Sequence, residues 1–150
     1  MNLSTEIKNA VDKSILCWLA TASLENEPNV SPKEVFSYYG TNSIIIANIA
    51  SPQSVQNIKK NPKVCLSFID ILVQKGFQLK GDGIIIELKD PNFKEMHDIL
   101  SKISGGIFPF ITITKVNIKK VKPIIAPRYI LFPDTTEQAQ IKSAKDAYGL

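Results

Sequence analysis

The chain reads as a mainly β protein, an antiparallel β-barrel with peripheral helices, and three observations lead there. Roughly six or more runs are rich in β-branched and aromatic residues. Most are joined by short turn segments, such as Glu25-Asn26-Glu27 and Gly40-Thr41-Asn42, which cannot carry a crossover between parallel strands. Several runs are so rich in Ile that an open edge would invite aggregation, and closing the sheet removes that edge.

Taken in order, Ser4 to Lys13 is an amphipathic helix with Ile7, Ala10 and Val11 on one face. Ile15 to Ser23 and Asn29 to Tyr39 follow as strands, and Ser43 to Asn48 is a third. Ser51 as N-cap and Pro52 as first helical residue open a short helix from Gln53 to Asn61. Lys63 to Asp70 alternates two largely apolar sets, Val64, Leu66 and Phe68 against Cys65, Ser67 and Ile69, and is expected to be buried on both faces. Phe77 to Leu88 is a long strand in which Gly81 and Gly83 invite a bulge or bend. Asp90 as cap and Pro91 as N1 open the next helix, with Phe93, Met96, Ile99, Leu100 and Ile103 as its apolar face, and Gly105-Gly106 end it. Ile107 to Lys122 is another long strand, and Tyr129 to Phe132 a short one. A last helix from Glu137 to about Ala147 is capped by Asp134 or Thr135. Trp18, Phe68 and Phe110 are expected in the core.

Composition narrows the function classes. At 150 residues the chain suits one domain, and 44% hydrophobic with 21% charged residues excludes a disordered chain. No apolar run approaches the roughly 20 residues of a membrane span, and Met1 to Lys13 is polar, with Glu6 and Asp12 where a secretory leader would be apolar. Cys17 and Cys65 sit in strand-like runs as reduced core residues, which suits a cytoplasmic protein and gives no metal framework. The net charge of +4 comes almost wholly from scattered lysines, with Arg128 the only arginine. A nucleic-acid groove would use arginine and interleaved aromatics, so no nucleic-acid partner is expected.

The start of the Gln53 to Asn61 helix is the clearest candidate site. Its backbone N–H groups point outward beside a buried strand, an arrangement suited to a phosphate or another anion. Around it lie Leu19-Ala20-Thr21-Ala22-Ser23, then Glu27-Pro28-Asn29-Val30-Ser31-Pro32-Lys33, then Asn48-Ile49-Ala50-Ser51-Pro52. Asn57-Ile58-Lys59-Lys60-Asn61-Pro62-Lys63-Val64 and Gly76-Phe77-Gln78-Leu79-Lys80-Gly81 complete the series. In this order and spacing the chain, from about Ile15 to Ile118, resembles the pyridoxamine 5'-phosphate oxidase-like family of FMN-binding split barrels. The tail from Ala126-Pro127 through Thr135-Thr136-Glu137 is similar to a shorter branch of that family.

The resemblance implies an antiparallel split β-barrel and a homodimer that binds two FMN molecules at the subunit interface. It implies that the strand holding Val30 to Phe36, with Ser31, Pro32, Lys33 and Glu34, runs along the isoalloxazine edge. Ala47, Asn48 and Ile49 would lie beneath the ring and ribityl chain. Ser51, Ser54 and Asn57 would face the phosphate, and Phe77 would come from the partner chain's strand. Residue chemistry agrees: Ser51, Ser54 and the helix start offer donors to a dianion, and Lys33 would put positive charge near flavin N1, where negative charge grows on reduction.

Two departures stand out. Relatives often carry Lys or Arg around Gln53 or Ser54, whereas this chain is neutral there, with Lys59 and Lys60 the nearest cations in the helix. The pyridoxamine oxidases proper hold substrate with C-terminal Arg and His residues, while here Arg128 is the sole arginine and His97 lies far upstream, so that reaction is not expected. The function expected is therefore an FMN-dependent oxidoreductase passing hydride or electrons through flavin N5 to a small-molecule partner. The alternatives are a non-catalytic flavin electron carrier or redox sensor, and a relative that binds a deazaflavin or, using His97, haem.

Overall fold

The computed structural model describes residues 1–150. Its strands are β1 (Cys17–Ala22), β2 (Pro28–Lys33), β3 (Phe36–Tyr39), β4 (Ser43–Ala47), β5 (Lys63–Asp70), β6 (Lys75–Glu87) and β7 (Thr112–Ile125). Helices are α1 (Thr5–Lys13), α2 (Pro52–Lys60), α3 (Phe93–Ser104), α4 (Pro127–Leu131) and α5 (Glu137–Tyr148). The strands form one seven-stranded sheet in the order β2-β1-β5-β6-β7-β4-β3, and every neighbouring pair is antiparallel. Its two edge strands, β2 and β3, are consecutive in the chain. The sheet is a curled half-barrel with peripheral helices, a split barrel.

Alternation along each strand sorts the side chains into two cores. Inside the curl, Cys17, Leu19, Ile44, Ile46, Leu66, Phe68, Phe77 and Leu79 pack with Leu3, Ile7 and Val11 from the α1 region and Ile58 from α2. On the other side of β4, Ile45 and Ala47 pack with Phe93, Met96 and Leu100 of α3, together with Phe110 and Ile113. All five residues of β4 are therefore buried.

Several boundaries depart from the sequence reading. The strand expected over Asn29 to Tyr39 is two strands broken at Glu34-Val35, where the chain passes from one sheet edge to the other. Strand β7 begins at Thr112, not Ile107, because Ile107 to Ile111 form the loop that carries Phe110 under α3. Residues Tyr129 to Phe132 are not a strand: Pro127 opens the short helix α4 there, its fixed φ suiting a first helical turn. Helix α3 has Asn92 at its N-cap position; Asp90 instead folds its carboxylate onto the Asn92 N–H at 2.9 Å. Thr136, not Asp134 or Thr135, caps α5 by accepting from Ala139 N.

Burial also differs in places. Trp18 is 47% exposed, because alternation in β1 gives the inner positions to Cys17, Leu19 and Thr21. In β5 only Val64, Leu66 and Phe68 are buried; Cys65 and Ser67 are half-buried and Ile69 is exposed on the outer face, which no helix covers completely. Gly105, with φ +65°, terminates α3 as expected. The register between β6 and β7 shifts at Lys80/Gly81, which is the bulge the glycines suggested.

Gly76 and Gly81 both sit where a neighbouring strand leaves no room for a side chain, and Gly81 is the one at the bulge. A Cβ there would lie 2.1 Å from the Asn117 carbonyl oxygen of β7. Gly81→Ala is expected to cost about 2 kcal/mol or more in denaturant unfolding. Gly105→Ala, which meets nothing within 4 Å but must hold φ +65°, is expected to cost about 1 kcal/mol.

Candidate functional site

The site is built where β2 ends, β4 ends and α2 begins. A cavity of about 270 Å³ opens there. Pro32, Lys33, Glu34 and Val35 form one wall, Ala47, Ile49, Ala50 and Ser51 another, and Phe108 overhangs from the loop before β7. Six of the residues named from sequence, Pro32, Lys33, Glu34, Ala47, Ile49 and Ser51, thus share one cavity. Val35, Ala50 and Phe108 complete the lining; Phe108 falls in the stretch read as the start of a strand, and no local signal marks it as a lip.

Lys33 is the unusual member. It is the last residue of β2, paired across the ladder with Cys17, and only 6% exposed. Its Nζ donates to Ser51 Oγ, and no carboxylate lies within ion-pair distance of it. A buried ammonium with one hydroxyl for company is costly, since desolvation is repaid only by a counter-charge. Burial accordingly holds the Lys33 pKa below its ordinary value, with the Cys17 thiolate form opposing. The same burial pushes Cys17 up to about 12, with Lys33 pulling the other way, so Cys17 is an inert thiol.

Ser51 occupies the N-cap position of α2, but its side chain does not cap the helix, because its oxygen is taken by Lys33. Pro52 has no N–H to lose, and the N–H groups of Gln53 and Ser54 have no acceptor. The first turn of α2 is therefore open, and next to it stands an uncompensated cation. Lys59 and Lys60 do not join it: they lie in the last helical turn, and Lys59 pairs with Glu87 at 3.6 Å.

Ser54 and Asn57 point the other way, beneath the helix. Ser54 is 1% and Asn57 4% exposed. Ser54 Oγ lies 3.1 Å from Ser31 Oγ and accepts from Asn29 Nδ2 at 3.3 Å. Asn57 Nδ2 donates to Thr21 Oγ1 at 3.0 Å, while Gln53 Nε2 donates to Asn57 Oδ1 at 2.9 Å. These bonds seat α2 on β1 and β2, so the two residues orient the helix start. Asn48 is similarly occupied: it donates to Thr112 Oγ1 at 3.2 Å and accepts from Thr114 Oγ1 at 2.9 Å, tying the end of β4 to β7.

Ser31, Asn48, Ser54 and Asn57 thus stand behind the cavity wall, and Val30 and Phe77 lie outside the cavity altogether. Val30 projects from the outer face of β2, 59% exposed. Phe77 faces the inner core against Phe68, with ring centroids 6.2 Å apart, and it is the neighbouring Gln78 that points outward. Strand alternation carries that information, since Phe77 and Leu79 form the apolar set. His97 packs its ring 4.5 Å from Phe110 and 5.5 Å from Phe93, with Nδ1 3.2 Å from Ser101 Oγ, and takes no part in the cavity.

The family model described as pyridoxamine 5'-phosphate oxidase matches residues 3–132, all seven strands included. The chain belongs to this family. Among solved structures, HupZ from Group A Streptococcus superposes with a TM-score of 0.68 at 18% identity, over 79% of this chain and 91% of that one. An FMN-binding protein from Syntrophomonas wolfei gives 0.68 at 18% identity, over 80% and 84%. HutZ, the haem storage protein of Vibrio cholerae, gives 0.62 at 16% identity, over 83% and 95%. No curated protein sequence matches. At these identities the structures establish the fold shared with the family, the split barrel.

Lys33→Met keeps the aliphatic stem and removes the ammonium, so the cofactor-free protein is expected to gain about 1 to 2 kcal/mol in denaturant unfolding. The pH dependence has a definite sign. Because burial lowers the Lys33 pKa, the unfolded chain holds this proton more tightly than the fold does. Cofactor-free wild type should therefore gain stability from this group as pH rises from the folded-state value towards 10.5, and Lys33→Met should lose that rise.

Proposed function

We propose that this protein is an FMN-binding flavoprotein, an oxidoreductase whose two cofactor sites are completed at a homodimer interface. The observation that carries this reading is Lys33, a buried cation without a counter-charge that lines a cavity beside an open helix start. An anionic ligand with a planar apolar body satisfies each part. Its phosphate would meet the free N–H groups of Gln53 and Ser54 and the Ser51 hydroxyl. Its ring would lie against Pro32, Val35, Ala47 and Ile49, with Lys33 supplying positive charge beside N1 and the C2 carbonyl. Backbone N–H groups around Ser31 and Glu34 would meet the ring's polar edge.

Family membership supports the same ligand, as does the fold shared with the FMN-binding Syntrophomonas wolfei protein. At about 270 Å³ the cavity lies just below the range of complete ligand pockets, roughly 300–1,000 Å³. That suits a cofactor shared with a second chain, to which the outward Gln78 would contribute. Bound FMN would supply hydride or electron transfer at N5 to a small-molecule donor or acceptor. Glu34 is the only carboxylate lining the cavity and no histidine reaches it, so the chain's own role is to bind and orient. That sparseness equally favours a second reading, a flavin electron carrier or redox sensor without a substrate of its own. A haem reading gains nothing from His97, wedged between Phe93 and Phe110. The half-buried and buried free thiols of Cys65 and Cys17 fit a cytoplasmic setting.

The test is the purified protein's visible spectrum, followed by titration with FMN. A flavin spectrum, or saturable uptake of FMN that quenches its fluorescence, is expected. Lys33→Ala should weaken binding by about tenfold or more, in keeping with loss of a charge-assisted contact, and any flavin still bound should have a lower reduction potential. A colourless protein that takes up no FMN would sink the reading.

A further inference from the structure

The strand register draws two rows across the outer face of the sheet. One runs Pro32, Trp18, Ser67, Gln78, Lys122, and the next Val30, Ala20, Cys65, Lys80, Lys120. Each row spans about 19 Å, at roughly 4.8 Å per strand. The β2–β1 end is apolar, with Val30 and Trp18 well exposed. The β6–β7 end is basic: Lys80, Lys120 and Lys122 are exposed, and none lies within 4.0 Å of a carboxylate. Lys80 and Lys120 are paired directly across the ladder, an arrangement that like charges destabilise. The nearby Lys119 and Lys63 differ, since both share an ion pair with Asp82.

We propose that Lys80, Lys120 and Lys122 of one copy supply, in trans, the positive charge that the FMN phosphate lacks beside Gln53 and Ser54 of the other. The inference rests on the flavin reading above and names the partner surface for that site. A two-fold dimer uses one patch on both chains. If the basic ends faced each other across the axis, six lysines would be stacked, and like-charge juxtaposition across an interface opposes association. The self-complementary alternative lays the basic end of each copy over the apolar end of the other. That brings the lysines to the β2 edge, where Pro32 borders both the outer row and the Lys33 cavity. The apolar body of each lysine covers Val30 or Trp18, and its ammonium reaches the anion. The lysine triplet has charge without an anion, and the open start of α2 has anion donors with only Lys33 as cation. Each end supplies what the other lacks.

The experiment compares FMN with riboflavin, which lacks the phosphate, by fluorescence titration of the full chain, with sedimentation run alongside. The triple variant Lys80→Gln, Lys120→Gln, Lys122→Gln is expected to keep riboflavin affinity within about twofold and to lose FMN affinity by tenfold or more, with a flatter salt dependence. A co-expressed pair establishes the trans geometry: Lys33→Met in one chain, the lysine triple variant in the other. If the lysines act across the interface, such a mixed dimer has one site of wild-type affinity and one dead site, so half-stoichiometric FMN binding is expected. Two impaired sites would mean that the lysines act within their own chain and would overturn the proposal. So would unchanged FMN affinity in the triple variant, or lysine-dependent binding to anionic lipid vesicles with FMN binding intact. Wild type that binds neither flavin would instead defeat the flavin reading itself.

Discussion

Two residues, Glu34 and Val35, join the two edges of the sheet, and that short link governs the rest. A flat sheet of seven strands would hold its edges about 29 Å apart. The stretch from Lys33 to Phe36 reaches about 11 Å at full extension. The sheet therefore has to curl until β2 and β3 meet, yet the two remain unpaired with each other. What forms at the seam is a corner in which backbone leaves the ladder. Two loops converge on this corner, the one after β4 and the one before β7, and the cavity is the space they leave.

The seam explains why a lysine can be buried there at a cost. Lys33 is the final residue of β2 and faces inward, as alternation requires after Asn29 and Ser31. The polar cluster of Thr21, Asn29, Ser31, Ser54 and Asn57 fixes α2 against the same strand, which holds Ser51 under the Lys33 ammonium. Satisfied internally, those side chains set position, while the one unsatisfied charge and the open helix turn supply affinity. A site that costs stability when empty is a familiar trade between fold and function.

Much of this was legible in the chain. Antiparallel connectivity followed from turns too short for crossovers, and Lys63 to Asp70 was bounded correctly because Pro62 and the loop from Ile71 punctuate it. Pro32, Lys33, Ala47 and Ser51 were readable as neighbours only as a set, through the family pattern. Local pattern failed where tertiary context decided. Ser51-Pro52 reads as a capped helix start, but a lysine 18 residues upstream takes the cap oxygen. Tyr129 to Phe132 has strand-like composition, yet Pro127 starts a helical turn that lays Tyr129 onto the Val73 carbonyl at 2.7 Å. Trp18 looks like core until the small inner partners on β1 are counted against it. The outer lysine pair across β6 and β7 was invisible beforehand, because a bulge at Lys80/Gly81 sets its register.

The most direct measurement of the central claim is a crystal structure of the protein grown with FMN. The expected result is a flavin at the seam, its ring against Pro32 and Ile49, its phosphate at the start of α2, and Lys33 drawn onto the ligand. A flavin bound instead in the cleft between α1 and the β5–β6 turn, with Lys33 still held by Ser51, would contradict it.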